Sequence, residues 1–181
     1  MILVNKSNTL AIVPARGGSK RFKKKNLYPI LGKPMIQYSL DLLNILEDEV
    51  TPFISTDDKE ILQYCTNKGF QMDYIRPSNL AEDDTSIIDV ILDAVEWYES
   101  KNKISLKCVI LLQPTSPDRS LNDISRGLSM FKKNLNKSVI SVMPMIEPPE
   151  ECLIINDDQS WSPMLGKVIE NHNSQNFLNE Y

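Results

Sequence analysis

A short segment that combines two adjacent glycines with many cations follows the first apolar run of this 181-residue chain. Gly17 and Gly18 let the backbone approach an anion closely and present its N–H groups. Arg16 can bind phosphate oxygens through its forked guanidinium, and Lys25 can neutralise them as a point charge. The cations of this part of the chain are Arg16, Lys20, Arg21, Lys23, Lys24, Lys25 and, further on, Lys33. We therefore expect the loop from Arg16 to Asn26 to bind a nucleoside triphosphate.

The spacing within this loop differs from two common phosphate-binding signatures, because neither G-x-x-x-x-G-K-[ST] nor G-x-G-x-x-G occurs there. A plain solvated basic loop and a nucleic-acid patch are the alternative interpretations. The chain has a formal net charge of -4, and no basic patch or aromatic platform stands out elsewhere. This composition argues against a nucleic-acid partner.

Two further segments place polar side chains where they can meet a ligand. Arg76 stands before a run of acids and hydroxyls that ends in Thr85 and Ser86, just ahead of a helical pattern. Such a run is typical of a helix cap. The second segment, residues 113–119, follows an apolar run and contains two prolines that make it rigid.

Apolar runs without polar alternation predict buried strands at residues 10–13, 53–56, 108–113 and 138–143. Apolar stripes at helical spacing separate these runs. Alternation of strand and helix indicates an α/β protein, with a three-layer arrangement and a mainly parallel sheet. Ligands bind such sheets beyond the carboxyl ends of the strands, where the loops at 16–26 and 113–119 are expected to meet.

Capping signals mark where several helices begin and end. Asp57 with Glu60 has the spacing of a capping box, and Gly69 is a suitable stop. Ser120 with Asp123 predicts the start of a later helix in the same way.

Lys33 differs from Lys25 in its setting, although both belong to the cationic segment. Lys33 precedes Pro34, a residue suited to the first position of a helix. The N-terminal end of a helix dipole is positive and disfavours a cation. We therefore expect Lys33 to be structural and to point to solvent, without a role in turnover, and Lys25 to be functional.

The last part of the chain carries weaker patterns. Residues 153–158 suggest a small hairpin or lid. His172 is the sole histidine, so a histidine-based metal site or a Ser-His-Asp triad would need that residue. Its neighbours are polar and lack apolar periodicity, which predicts a poorly packed segment over residues 170–181 and no general-base role for His172.

Cysteine usage and hydropathy bear on location. The three cysteines, Cys65, Cys108 and Cys152, lack metal-ligand spacing, and their odd number suits free thiols in a reducing compartment. The N-terminus shows no signal-peptide apolar region, and no apolar run has the length of a membrane helix. The expectation is a cytoplasmic protein without a membrane partner.

Three segments together resemble the acylneuraminate cytidylyltransferase family, whose members make CMP-activated sialic acids. Residues 12–21 are similar to the family's opening motif, and Lys25 with Asn26 matches its Lys-Asn pair. Residues 111–119 resemble its L-L-Q-P-T-S-P-L-R motif, with Asp118 in place of leucine. The resemblance implies a Rossmann-like nucleotide-diphospho-sugar transferase fold, with residues 1–181 as a single nucleotidyltransferase domain.

The resemblance also implies which residues contact the substrates. It assigns catalysis to Arg16, Lys25 and Gln113. It assigns nucleotide binding to Ala15, Arg16, Gly17, Gly18, Ser19, Asn26, Arg76, Thr85, Ser86, Gln113, Thr115, Ser116 and Arg119. It does not choose between Thr85 and Ser86 as the hydroxyl that contacts the base or ribose. None of these is a metal ligand.

The implied reaction transfers CMP from CTP to a nine-carbon 2-keto sugar acid, N-acetylneuraminate or legionaminate, and releases pyrophosphate. The alternatives are another sugar acid, pseudaminate or Kdo, or a catalytically inactive nucleotide-binding module. Family members continue beyond the point that matches Tyr181, into a strand and two aspartates that hold Mg²⁺. The resemblance thus implies a magnesium cofactor whose carboxylate ligands are missing from this sequence, and a homodimer at full length.

Overall fold

The computed structural model describes residues 4–19, 22–134, 137–142 and 152–164. The chain divides into two compact units, residues 1–135 and residues 136–181. The helices and strands are, in chain order, β1 (Thr9–Pro14), β2 (Pro29–Ile30), β3 (Lys33–Pro34), α1 (Met35–Ile45), β4 (Thr51–Ser55), α2 (Lys59–Asn67), α3 (Ile87–Asn102), β5 (Cys108–Leu111), α4 (Leu121–Lys133), β6 (Leu153–Ile155) and β7 (Trp161–Pro163). None of the helices found in these ranges has the length and apolar character needed to cross a membrane.

The first unit is built on a three-stranded sheet in the order β4-β1-β5. Both neighbours run parallel to β1, with Ile12 paired to Phe53 on one side and to Leu111 on the other. Four successive residues of β1, Leu10 to Val13, are fully buried, so this strand is covered on both faces. The parallel sheet and three of its predicted strands are confirmed.

Side chains of β1 alternate between two packed faces. Ala11 and Val13 belong to a core cluster with residues of α1, α2 and α4. Leu10 and Ile12 pack on the other face with Phe53 and with residues of α3. Helices therefore cover both faces of the sheet, which confirms the predicted three-layer α/β architecture.

The capping residue of α2 is one position later than the sequence indicated. Asp58 accepts hydrogen bonds from the backbone N–H groups of Glu60 and Ile61, at 2.7 and 3.1 Å. Asp57 instead accepts from the backbone N–H of Gly17. The capping-box assignment of Asp57 was therefore wrong, because two adjacent aspartates offer the same signal and a contact distant in sequence takes the first.

The predicted start of α4 is correct. The helix begins at Leu121, and the Ser120 hydroxyl accepts a hydrogen bond from the Asp123 backbone N–H at 3.1 Å. This cap fixes the end of the loop that follows β5.

The predicted strand at 138–143 is not observed over residues 138–142, and Met143 lies outside the described residues. Ile140 is 80% exposed and Val142 is 84% exposed. A strand needs a hydrogen-bonding neighbour and cover for its apolar side chains, and an apolar run supplies neither by itself. The predicted hairpin is present in the second unit, where β6 pairs antiparallel with β7.

Several predicted features lie outside the residues that the structure describes. They are Lys20, Arg21, His172 and the segment 170–181. The predictions made for them stand as predictions.

Candidate active site

A cleft of about 190 Å³ opens at the carboxyl ends of β1 and β5. Among the residues lining it, eight were predicted as site residues: Arg16, Ser19, Lys25, Asn26, Arg76, Thr85, Gln113 and Thr115. Sequence reasoning did not assign seven others: Pro14, Leu80, Glu82, Asp83, Ile87, Val90 and Pro114. The cleft is where open parallel sheets bind ligands.

Arg16 connects two loops at this cleft. Its Nη2 lies 2.7 Å from Asp83 Oδ1, and its Nη1 donates to the Ala81 carbonyl at 3.2 Å. The side chains of Arg16 and Asp83 are 30% and 40% exposed, so the ion pair is partly solvated. The loop from Arg16 to Asn26, called the glycine-rich loop below, is thereby joined to the loop at residues 78–86.

The two glycines of the loop have different surroundings. The Gly17 N–H donates to Asp57 Oδ1 at 2.9 Å, and a Cβ atom at Gly17 would lie 2.3 Å from Asp58 Oδ2. A Cβ at Gly18 would meet nothing within 4 Å. Close packing thus requires glycine at position 17, while Gly18 leaves its backbone open.

Ala15 and Ser19 shape the backbone of the same loop. Ala15 is fully buried, and its N–H donates to the Ser55 carbonyl at 2.8 Å, which extends the contact between β1 and β4. The Ser19 N–H donates to the Gly17 carbonyl at 2.8 Å in a tight turn.

Lys25 and Asn26 lie in a 3₁₀ turn at Lys25–Leu27, and Lys25 lines the cleft. Asn26 is buried, and its Nδ2 donates to the Arg16 carbonyl at 3.0 Å. This bond ties the far end of the glycine-rich loop to its beginning. Asn26 therefore helps hold the backbone of Arg16, in addition to lining the cleft.

Arg76 is a cleft residue that is only 5% exposed. Its Nε donates to Ser55 Oγ at 3.0 Å, and its Nη2 donates to the Ser55 carbonyl at 2.6 Å. Burial lowers the pKa of Arg76, while nearby Tyr74, Asp57 and Asp93 favour the charged form. Because arginine titrates so far above neutral pH, this side chain still brings a positive charge to the cleft.

Thr85 and Ser86 have separate positions. Thr85 lines the cleft, and its hydroxyl donates to the Asn79 carbonyl at 3.5 Å. Ser86 is not among the lining residues; its hydroxyl accepts from the Ile88 N–H at 3.2 Å and caps α3. The structure therefore favours Thr85 over Ser86 as the residue that meets a ligand.

The loop after β5 is organised around Gln113. Its carbonyl accepts from the Ser116 N–H at 3.1 Å and from Arg119 Nη2 at 3.1 Å. Thr115 lies close by, with its hydroxyl 3.4 Å from Gln113 Oε1. Gln113 and Thr115 line the cleft, whereas Ser116 and Arg119 do not.

Arg119 has an unusual environment for an arginine. Its Nη1 is buried and has no hydrogen-bond partner among the described residues. Burial lowers the pKa of this guanidinium. Its hydrogen bond to the Gln113 carbonyl indicates that Arg119, which does not line the cleft, supports the loop after β5.

Lys33 does not point freely to solvent, and that prediction was wrong. It forms an ion pair with Asp41 of α1, and its Nζ lies 4.1 Å from the centre of the Tyr38 ring. The hydrogen bond to Asp41 raises the pKa of Lys33. A carboxylate two turns into the helix offsets the unfavourable helix dipole, and Lys33 is not among the cleft residues.

Comparison with known proteins identifies the family of this chain. A family model described as Cytidylyltransferase matches residues 10–159 of the chain. The chain belongs to this cytidylyltransferase family. The match includes the strands and loops that form the cleft.

Two of the chain's relatives are named for the sugar acids that they activate. The chain is 32% identical to the pseudaminic acid cytidylyltransferase of Campylobacter jejuni over 82% of its own length and 64% of the relative's. It is 33% identical to the CMP-N,N'-diacetyllegionaminic acid synthase of Legionella pneumophila, over 81% and 62%. The chain thus spans somewhat less than two thirds of the length of these relatives.

A solved structure also resembles this chain. It is a CMP:2-keto-3-deoxy-manno-octonic acid synthetase complexed with CTP, with a TM-score of 0.58 and 25% identity. The likeness covers 72% of this chain and 49% of that one. The predicted Rossmann-like nucleotidyltransferase fold is confirmed.

Magnesium is implied by the resemblance, and the donor set of the cleft can be tested for it. No group of three or more His, Cys, Asp or Glu side chains is placed to hold a metal ion within the described ranges. Of the two cleft acids, Asp83 is paired with Arg16. These described residues do not fit a magnesium ion held by protein side chains.

Proposed function

We propose that this cytidylyltransferase transfers CMP from CTP to a nine-carbon 2-keto sugar acid and releases pyrophosphate. The observation that carries the proposal is the convergence of Arg16, Lys25 and Arg76 on one cleft, beside the carboxyl ends of β1 and β5. Three cations at such an edge suit a polyanionic nucleotide. Membership of the family and the names of the relatives point to CTP and a sugar acid.

In the proposed reaction the anomeric hydroxyl of the sugar acid attacks the α-phosphorus of CTP. A bond forms between that oxygen and the α-phosphorus, while the bond to the bridging oxygen of the β-phosphate breaks. Pyrophosphate leaves with the bridging oxygen, and the hydroxyl proton passes to solvent. Positioning and charge neutralisation drive such transfers, so the protein need not form a covalent intermediate.

Each predicted site residue has a proposed role. Arg16 and Lys25 neutralise the triphosphate, with Gly17, Gly18 and Ser19 presenting backbone groups to it. Gln113 orients the reacting groups from the loop after β5. The base and ribose are proposed to meet Arg76, Thr85 and Thr115, while Ala15, Asn26, Ser86, Ser116 and Arg119 keep the surrounding backbone in place.

The acceptor is proposed to be N-acetylneuraminate or legionaminate. The names of the relatives also make pseudaminate a specific candidate, and it belongs in any substrate panel. We further propose one nucleotidyltransferase domain over residues 1–181, because the family match spans both compact units. A magnesium requirement, a homodimer and a cytoplasmic location remain proposals from the family resemblance.

The test is pyrophosphate release by the 181-residue chain, with CTP, UTP, ATP or GTP in turn and a panel of 2-keto sugar acids, with and without Mg²⁺. We expect release only with CTP and one or two acids. Binding of CTP without release in any combination would support the inactive nucleotide-binding module. Equal use of all four nucleotides would contradict the assignment.

A further inference from the structure

The loop at residues 78–86 brings an acidic side chain to the arginine on which the proposed phosphate site depends. Asp83 lines the cleft, and its Oδ1 lies 2.7 Å from Arg16 Nη2. The neighbouring Ala81 carbonyl accepts from Arg16 Nη1 at 3.2 Å. Both terminal nitrogens of Arg16 are therefore engaged by this one loop.

These acceptors resemble what a phosphate group would offer. A carboxylate oxygen at 2.7 Å is a charge-assisted acceptor, and the guanidinium fork suits a second acceptor beside it. A phosphate that binds Arg16 through the same fork has to replace at least one of the two. The carboxylate also repels a polyanion that enters the cleft.

The ion pair between Arg16 and Asp83 can be replaced by a contact with phosphate because it is partly solvated. The Arg16 side chain is 30% exposed and that of Asp83 is 40% exposed. Ion pairs with such exposure contribute little to stability, since water competes with the attraction and screens it. Arg76 lines the same cleft as Arg16, so an incoming anion finds a second cation there.

We propose that Asp83 is an affinity-determining residue that occupies the phosphate-binding face of Arg16 and is displaced when the nucleotide binds. This inference rests on the proposed function, because it assumes that Arg16 receives phosphate. Displacement releases the 78–86 loop from the glycine-rich loop. Nucleotide binding is thereby coupled to the part of the cleft wall that carries Thr85.

The test compares Asp83→Asn with Asp84→Asn, which removes the same charge one residue away at a position that does not line the cleft. Titration calorimetry would measure the affinity for CTP and for inorganic tripolyphosphate at low and high salt. We expect Asp83→Asn to bind both anions on the order of threefold to tenfold more tightly than the wild type, with a difference that shrinks as salt rises. Asp84→Asn should change the affinity much less.

Amide hydrogen exchange of the ligand-free chain tests the contact between Asp83 and Arg16 without any nucleotide. Asp83→Asn and Arg16→Ala should each speed amide exchange over residues 78–86, and the double variant should add little to either. Unchanged or weaker anion binding by Asp83→Asn would overturn the inference, as would additive exchange effects. If CTP does not bind any variant, the proposed function fails, while tripolyphosphate binding and exchange still decide the role of Asp83.

Discussion

The carboxylate of Asp58 lies against Gly17, so closely that a Cβ atom at position 17 would approach Asp58 Oδ2 to 2.3 Å. The same carboxylate caps α2 by accepting from the N–H groups of Glu60 and Ile61. A helix cap therefore also defines the path of the glycine-rich loop. The loop has room for its tight course only because position 17 has no side chain.

Replacing Gly17 with alanine should disturb both the loop and the cap. The added methyl group forces Asp58 or the loop to move, and we expect a loss of about 1–3 kcal/mol in the free energy of unfolding. Gly18→Ala is the matched control, since nothing lies within 4 Å of its Cβ position, and its effect should stay within about 0.5 kcal/mol. Urea denaturation measures both variants, and equal losses would contradict the packing described for Gly17.

Removing the guanidinium of Arg16 should weaken CTP binding. Hydrogen bonds to charged groups contribute about 1.5–3 kcal/mol each, and we expect Arg16→Ala to lose a free energy of binding in that range. Titration calorimetry on the folded variant measures the loss. An unchanged affinity for CTP would show that the glycine-rich loop does not hold the phosphates.

Replacing each of the two lysines of the cationic segment, Lys25 and Lys33, should have different effects on kcat. Lys25 lines the cleft, whereas Lys33 is engaged by Asp41 and Tyr38 away from it. We expect Lys25→Ala to lower kcat by about 10²-fold, the size of effect seen when one charge-stabilising donor is lost. Lys33→Ala should leave kcat unchanged, and equal losses in the two variants would refute the distinction.

High pH should reduce stability through the buried thiols. Burial raises the pKa of Cys65 to about 12 and that of Cys108 to about 11, from 9.0. As pH rises, the thiols ionise first in the unfolded chain. Their contribution to the free energy of unfolding is therefore complete below the pKa of the unfolded state, and it is lost as pH rises through the pKa of the folded state. Between about pH 8 and about pH 10 the free energy of unfolding should fall, by about 1 kcal/mol per thiol.

Cys65→Ala tests this prediction. The variant is less stable than the wild type at about pH 8, because it leaves a gap in the core. Its deficit should shrink by about 1 kcal/mol on going to about pH 10, since only the wild type loses the Cys65 contribution. A deficit that is constant over this range would show that Cys65 ionises no differently in the folded state.

Local patterns were sufficient for the three strands of the sheet and for the place of the cleft, whereas most of the individual site residues came from the family resemblance. Leu10 to Val13 are uniformly apolar because β1 is covered on both faces, and that pattern is visible in sequence. The loop after each buried strand then falls at the ligand edge of the sheet. This rule alone brings Arg16 and Gln113 to one cleft.

Contacts between distant residues were not predictable in this way. Asp83 pairs with Arg16 although 67 positions separate them, and its place in an acidic run before a helix looked like an ordinary cap. Lys33 was expected in solvent, but it forms an ion pair with Asp41. That pair depends on how the hairpin of β2 and β3 meets α1, which local sequence patterns do not specify. Ile140 shows the opposite error, since its apolar run predicted a strand and none is present over residues 138–142, where Ile140 is 80% exposed.

The most direct test of the central claim is to follow the phosphorus atoms of CTP by ³¹P NMR while the 181-residue chain acts on a 2-keto sugar acid. Transfer of CMP predicts a new phosphodiester signal and pyrophosphate in equal amounts, at the expense of CTP, with both signals growing about 10²-fold more slowly when Lys25→Ala replaces the wild type. Formation of CDP and inorganic phosphate, or of CMP without the phosphodiester, would contradict the account.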